Sequence, residues 1–493
     1  MWSNGISTSA INPVWKFLLP ILAVWIVLYG SFALGRPPLN DGPNTVHAEI
    51  AREMLTRHNW FHPYANGFPV KSTSRVLDWS IATSYRLFGV ADWSARLPIA
   101  LTVLALLVSV FFFARRIFGG NAAGFYAALF LLVWPGTFLA TRALTSAPFL
   151  CFGTTVLAFA LWQLLIEKKV AFWTAITVSV VACALVALTA SWPDIIPPLV
   201  IVMLCWAVRF ISNSEEQRSY FLWGWAITAY VFASFIDWHG HADSTSMAIP
   251  MVTILPLPPL ALQLGGWLAA SETFGDKAIG QRIARWVFAI GAVLIVIAIF
   301  FAIHGPVSFS VSGTPVLITT PWTRVSLLIG AAALIVGVVG NLVFQRRNQV
   351  RIAHCFLAGT LGGLIVAIQV GQIIGSPQSS SQILADAIRP ELSPNDVVVI
   401  DGRYPDASSL VFYLERPVLL ALRASAGGIG AASVSMPPQG TVDVNQVWSG
   451  PARVFLWTST DAPLAVPGQS YVIARSGGKQ ILSNEPDHGG ASF

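Results

Sequence analysis

Apolar runs of about twenty residues, the length an α-helix needs to cross the hydrocarbon of a bilayer, recur along this chain and constrain its fold more than any other feature. They occupy about eleven stretches, at 15–35, 96–114, 121–140, 146–166, 170–190, 195–211, 219–237, 246–270, 286–304, 324–345 and 352–375. Backbone groups in lipid must be satisfied within the segment that carries them, so such runs predict a polytopic α-helical membrane protein. The 493 residues are 55% hydrophobic and only 11% charged, against roughly 25% charged in soluble domains. The 19 Trp and 30 Phe suit a protein whose aromatic rings gather at two water interfaces.

The net charge of +6 could point to nucleic acid, but the basic residues lie in short clusters between apolar runs rather than in a stripe, which makes them orientation signals. Alternate loops carry them: Arg115 and Arg116; Lys168 and Lys169; Arg209 and Arg218; Lys277, Arg282 and Arg285; then Arg346, Arg347 and Arg351. The intervening short loops hold little beyond Arg142. With the N-terminus inside, an odd number of spans then places the first loop and the C-terminal region together on the outer face. The run from Lys16 to Leu34 has no small-residue cleavage site and is expected to stay as the first span. Cys151, Cys183, Cys205 and Cys355 all lie in apolar segments, so neither disulfides nor Cys-ligated metal are expected.

The expected organisation is a transmembrane domain over 1–375, including a first outer loop at 35–95, followed by a small outer α/β domain over 376–493. In the loop, Thr45–Arg57 places Val46, Ile50 and Met54 on one face and Glu49, Arg52 and Glu53 elsewhere, an amphipathic helix expected to lie in the membrane interface. Val76–Phe88 repeats the pattern with Trp79 and Tyr85. After Ser376, β-branched runs at Val397–Asp401, Val418–Leu422, Val454–Thr458 and Tyr471–Arg475 surround a helical Ala407–Leu414. That domain shows no dinucleotide fingerprint, P-loop or nucleophile elbow.

Three stretches carry a resemblance: Pro38–Leu55 (PLNDGPNTVHAEIAREML), Asn66–Lys71 (NGFPVK) and Leu87–Pro98 (LFGVADWSARLP). Together they resemble the bacterial polyprenyl-phosphate-sugar glycosyltransferases of the C-type fold, the group of the lipid A aminoarabinose transferase and the protein O-mannosyltransferases. Weaker echoes extend through Arg115–Gly124, Thr141–Thr145 and Leu410–Pro417. The resemblance implies an inner-membrane enzyme of the cell envelope that moves a sugar from a polyprenyl-phosphate donor to a lipid, glycan or protein acceptor on the outer face, with no nucleic-acid partner. Such chemistry needs a carboxylate to deprotonate the acceptor and cations to stabilise the departing lipid phosphate. Carried over residue by residue, it makes Asp41 the catalytic base, gives Lys71, Arg75, Arg142 and Arg52 to the donor phosphate, and puts Glu49 and Asp78 in support.

The chain also departs from the family pattern. Pro43 and Asn44 stand where members often carry Asp and Glu, Lys71-Ser-Thr-Ser-Arg75 replaces a Glu-Lys-Pro-Pro, the second outer loop keeps Arg142 without its Asp, and Ala190–Asp194 replaces a Lys-Gly-Pro. Asp41 is equally suited to an Asx turn or a helix cap, and Lys71 and Arg75 to snorkelling toward headgroups. An impaired paralogue serving as a lipid-binding scaffold therefore stands beside the enzyme. A transporter or flippase would bury ionisable groups at the midplane, where this sequence has almost none. No motif demands a metal; a divalent cation on a loose carboxylate such as Asp41 or Asp78 stays open. The set Asp237, His239, His241 and Asp243 has metal-capable side chains without a recognised ligand spacing.

Overall fold

The structure, a computed structural model, describes residues 14–31, 34–70, 74–167, 172–189, 196–211, 213–240, 253–274, 286, 293, 308–311, 314–317, 321–421, 440–461 and 463–486. Helix α1 (Trp15–Trp25) continues into a π-helical turn at Ile26–Ser31. The first loop holds α2 (Pro43–Thr56), the short strands β1 (Tyr64–Ala65) and β2 (Phe68–Pro69), and α3 (Arg75–Phe88). The bundle follows with α4 (Asp92–Phe118), α5 (Asn121–Leu132), α6 (Pro135–Arg142), α7 (Ala147–Leu161, with a π-helical end at Trp162–Glu167), α8 (Phe172–Thr189), α9 (Ile196–Val208), α10 (Ser214–Gly240) and α11 (Leu257–Phe274). A hairpin of β3 (Ser308–Val311) and β4 (Thr314–Leu317) precedes α12 (Pro321–Arg346) and α13 (Val350–Ile374).

Helices thus occupy part or all of every expected apolar run except 286–304, of which only Trp286 and Val293 are among the described residues. Among the described residues four helices are long and apolar enough to cross a membrane: Asp92–Phe118, Ala147–Glu167, Val325–Arg346 and Val350–Ile374. The pair α5 and α6, bent by 52°, would make a fifth. That bend falls at Trp134–Pro135, because proline has no amide hydrogen to donate and disfavours helical backbone in the residue before it. The sequence reads 121–140 as one uninterrupted run; the break instead turns α6 so that Arg142 ends it. Bundle packing is close where glycine permits it: a Cβ on Gly265 of α11 would lie 2.6 Å from the Ala123 carbonyl oxygen of α5.

The basic loops meet at the end of the bundle away from the first loop. Arg116 Nε donates to Glu167 at 2.6 Å, Arg218 Nη1 to the Ile117 carbonyl at 2.8 Å, and Glu272 receives both Tyr126 Oη at 2.9 Å and the Arg351 guanidinium. Among the described residues, Arg116, Arg218 and Arg351 of the alternation thus lie at one end of the bundle, while Lys168, Lys169, Lys277, Arg282 and Arg285 lie outside the described residues.

Beyond the bundle come α14 (Ser376–Ser379), α15 (Gln382–Ile388), β5 (Val397–Ile400), α16 (Ser408–Leu414), β6 (Leu419–Ala421), β7 (Thr441–Val442), α17 (Val444–Trp448), β8 (Val454–Ser459), β9 (Tyr471–Ser476) and β10 (Lys479–Ser483). The strands form one sheet in the order β7-β6-β5-β8-β10-β9, parallel through the first four and antiparallel in the last two. The chain leaves β5 toward β6 and β7 and then returns to the other side of β5 as β8. A topological switch point therefore lies between the carboxyl ends of β5 and β8, where open α/β sheets form their ligand crevice.

The first-loop segments Pro43–Thr56 and Arg75–Phe88 are helices, α2 and α3, and their apolar faces are covered by protein rather than by lipid. Val46, Ile50 and Met54 of α2 and Leu77 and Ile81 of α3 share a single buried core with Leu384, Tyr404, Leu410, Phe455 and Trp457 of the C-terminal domain. Periodicity fixes that a face must be buried and says nothing about what buries it. The end of α3, just before α4, stays open, with Leu87 69% and Phe88 53% exposed, suited to a headgroup boundary.

Candidate functional site

The C-terminal domain is joined to the first loop by a line of polar contacts along Leu39–Gly42. The Leu39 amide donates to Tyr413 Oη at 2.8 Å, and Tyr413 Oη donates to Asp92 Oδ1 at 2.9 Å. The Gly42 amide donates to Ser408 Oγ at 3.0 Å. Asn66, in left-handed backbone (φ +52°), makes the Asn-Gly turn between β1 and β2. Its side chain clips Val418 on both sides, Nδ2 donating to the carbonyl at 2.8 Å and Oδ1 accepting the amide at 2.7 Å.

Asp41 lies in the middle of that line. Its Oδ1 accepts the Ser409 amide at 2.9 Å and Ser409 Oγ at 2.5 Å; its Oδ2 accepts Ser381 Oγ at 2.7 Å and Lys479 Nζ at 2.6 Å. Ser409 is in the first turn of α16, which follows β5, and Lys479 pairs in register with Ser459 at the end of β8. The carboxylate is therefore seated at the switch point of the α/β sheet, with a donor on every side. Such an arrangement suits a docking anion more than a base, since a base must exchange a donor for a substrate proton.

On α2, Glu49 takes a two-point pair from Arg52, Nε to Oε2 at 2.9 Å and Nη2 to Oε1 at 2.6 Å. Glu49 is 1% exposed, and burial pushes its carboxyl pKa up against the opposing pull of Arg52. Glu53 is engaged by Arg57 Nε at 2.8 Å and by the Gly67 amide at 2.7 Å. Arg52 thus belongs to a pair that braces α2. Arg75 is exposed at the first position of α3, and Lys71 lies outside the described residues, as do the side chains of His239, His241 and Asp243. Asp78, fully buried on α3, accepts from His47 Nδ1 of α2 at 2.6 Å.

Arg142 differs from all of these. It is 8% exposed at the end of α6, lies over the Phe138 ring, and gives one nitrogen, Nη2, to Gln369 Oε1 of α13. Gln369 in turn donates to the Arg36 carbonyl at 2.8 Å. Arg142 Nε and Nη1 have no partner among the described residues. Arg96, 2% exposed, is near enough for the two guanidinium charges to repel. Its Nη1 and Nη2 donate to the Leu34 and Pro38 carbonyls at 2.7 and 3.2 Å, and its Nε is likewise unpaired among the described residues. Two buried guanidinium groups with unused donors make a strong anion site, because an unpaired buried donor costs about 1–3 kcal/mol and an anion removes that cost for both.

The structure thus places Asp41, Glu49 and Arg52 at the contact between loop and domain, Asp78 between α2 and α3, and Arg142 against Gln369 of the bundle near Arg96. Sequence reasoning missed Arg96, which lies inside the LFGVADWSARLP motif, and the Asp41 partners Ser381, Ser409 and Lys479, which no local signal marks. An open aromatic groove of about 420 Å³, lined by His58, Asn59, Trp60, Phe61 and Trp79, lies on the same loop. Among the described residues no group of three or more His, Cys, Asp or Glu side chains is placed to hold a metal ion.

Comparison with known proteins bears on the fold. A family model described as dolichyl-phosphate-mannose-protein mannosyltransferase matches residues 72–162, the segment containing α3, Arg96 and Arg142. No curated protein sequence matches. The structure of ArnT from Cupriavidus metallidurans bound to undecaprenyl phosphate superposes with a TM-score of 0.74 at 19% identity, over 98% of this chain and 100% of that one. The apo state of that protein gives 0.70 at 19% identity, over 96% and 98%. The chain therefore has the ArnT fold, and the resemblance read from the first loop holds.

Proposed function

We propose that this protein transfers a sugar from a polyprenyl-phosphate donor to an acceptor hydroxyl on a lipid, glycan or protein, at the outer face of a bacterial inner membrane. The single observation that carries the reading is the buried Arg142 guanidinium, with Nε and Nη1 unpaired among the described residues and Arg96 beside it. A lipid phosphate accepts from such a fork in two places at once. As the sugar leaves, charge grows on the phosphate oxygens, and cations fixed in a dry site stabilise it without reorganising. The shared fold with a protein solved with undecaprenyl phosphate, the matched family segment over Arg96 and Arg142, and the basic loops at the opposite end of the bundle support donor class and sidedness. Arg75, and Lys71 before it in sequence, supply further positive charge to the donor. Asp41 enters this reading as the anion that docks the outer domain, and Glu49 with Arg52 as the brace of α2.

Binding of undecaprenyl phosphate to the full chain in lipid nanodiscs tests the proposal. Losing one two-point charged contact of about 1.5–3 kcal/mol should weaken binding roughly 10- to 100-fold in Arg142→Leu. Arg142→Lys, which keeps the charge and loses the fork, should fall between. Equal affinity in all three proteins would refute the site.

A further inference from the structure

The stretch Leu34–Leu39, between α1 and α2, is linked to both guanidinium groups of the proposed phosphate site. Its Leu34 and Pro38 carbonyls accept Arg96 Nη1 and Nη2 at 2.7 and 3.2 Å, and between them the Arg36 carbonyl accepts Gln369 Nε2 at 2.8 Å. Gln369 is also the partner of Arg142 Nη2. The last residue of the same stretch is tied to the C-terminal domain, the Leu39 amide donating to Tyr413 Oη at 2.8 Å. We propose that Tyr413 is a positioning residue of the donor-phosphate site, holding Arg96 and Arg142 in place from the C-terminal domain through Leu34–Leu39 and Asp92; this rests on the transfer reading above.

A phenol has one proton to donate and lone pairs to accept with, and Tyr413 uses both, accepting the Leu39 amide and donating to Asp92. The negative charge of Asp92 polarises the phenol and strengthens the bond it accepts from Leu39. Asp92 stands in the first turn of α4, one turn before Arg96, where side chains four apart are neighbours. Its carboxylate attracts that guanidinium, against the repulsion between Arg96 and Arg142. The phenol is therefore connected to Arg96 by two routes, through Asp92 and through the backbone at Pro38, and to Arg142 through Arg36 and Gln369. Adjacent peptide groups are rigid planes joined by two soft dihedrals, so a shift of Leu39 reaches the carbonyls of Pro38 and Arg36. It then re-aims Arg142 Nε and Nη1 and Arg96 Nε, the donors without a partner among the described residues. A two-point contact to phosphate depends on the direction of each donor, so losing the Tyr413 hydroxyl weakens lipid binding without any contact between Tyr413 and the lipid.

Tyr413 is also buried in the core shared by loop and domain, so the test must separate positioning from support. Tyr413→Phe keeps the ring that packs there and removes only the hydroxyl. Residues along such a contact network change affinity about 3- to 30-fold, and Tyr413→Phe should weaken binding of undecaprenyl phosphate to the full chain in nanodiscs by that factor. In an Arg142→Leu background the same substitution should cost clearly less, because the fork it would aim is gone. Coupling is reciprocal, so undecaprenyl phosphate added to the wild type should slow hydrogen exchange of the Leu39 amide and of the amides of α16, and this protection should shrink in Tyr413→Phe. Full additivity of the two substitutions marks general destabilisation and overturns the assignment. Wild-type exchange that undecaprenyl phosphate leaves unchanged overturns it too, and that measurement needs no variant to fold. Tyr413→Phe binding within about twofold of wild type, a factor below that range, while Arg142→Leu binds weakly, overturns the positioning role alone. A wild type that binds undecaprenyl phosphate no better than Arg142→Leu overturns the phosphate site, and this proposal with it.

Discussion

Replacing Asp41 by Asn should loosen the C-terminal domain from the first loop, and the size of the effect follows from the contacts. The Asn oxygen still accepts both Ser409 donors. The new amide group, however, faces the Lys479 ammonium at 2.6 Å, donor against donor, and Ser381 Oγ must turn to accept. The pair is nearly enclosed, Lys479 at 14% and Asp41 at 9% exposure. Removing one member of an enclosed pair costs about 3–5 kcal/mol, and the residual access to water favours the lower end. About 3 kcal/mol of lost docking energy at about 1.4 kcal/mol per factor of ten lowers protection of the interface roughly 100-fold. Hydrogen exchange of amides in α16 and β10 in detergent-purified protein reads this directly. Lys479→Met alone leaves Asp41 three donors and should cost about half as much, since hydrogen bonds to charged groups contribute about 1.5–3 kcal/mol. The double variant should cost less than the sum of the singles, because no ammonium is stranded. Exchange in Asp41→Asn within about twofold of wild type, or strict additivity in the cycle, would refute the docking role.

The other expectations are simpler. Asn66→Ala removes the Asn66 partners of both the Val418 amide and carbonyl and should destabilise by about 2–6 kcal/mol, each unmet buried group costing about 1–3 kcal/mol; thermal unfolding of the purified protein checks it. Burial raises the Glu49 pKa above its ordinary 4.5, so the folded protein holds that proton more tightly than the unfolded chain. The resulting stability is fully present below about 4.5 and is lost as pH rises through the raised value. Glu49→Gln should flatten that part of the plot of Tm against pH, and an unchanged slope would contradict it.

Much of this architecture is legible in the sequence because its signals are local. The apolar runs place the bundle helices, alternation of Lys and Arg groups the loops that share an end, and β-branched runs place β5, β6, β8 and β9. The short strands β7 and β10 escape, being brief and mixed in composition. Trp134–Pro135 carried a break signal that the apolarity around it outweighed. What stays hidden in the site is long-range: Asp41 and Lys479 are 438 positions apart, Arg142 and Gln369 are 227. The pairing of His47 with Asp78 spans only 31 residues, yet it needs the angle between α2 and α3, which no helical periodicity encodes.

The seat of Asp41 bears on what the C-terminal domain can do. An open α/β sheet offers its switch point to a dissolved anion, and here the chain itself supplies the occupant. Because the carboxylate is tethered, its effective concentration at the crevice is far above that of any small metabolite, so the domain is not expected to sense nucleotides or free phosphates. It behaves as a receptor with a built-in ligand, and transplanting it onto another membrane domain should require carrying the Asn40-Asp41-Gly42 turn along as its matching key.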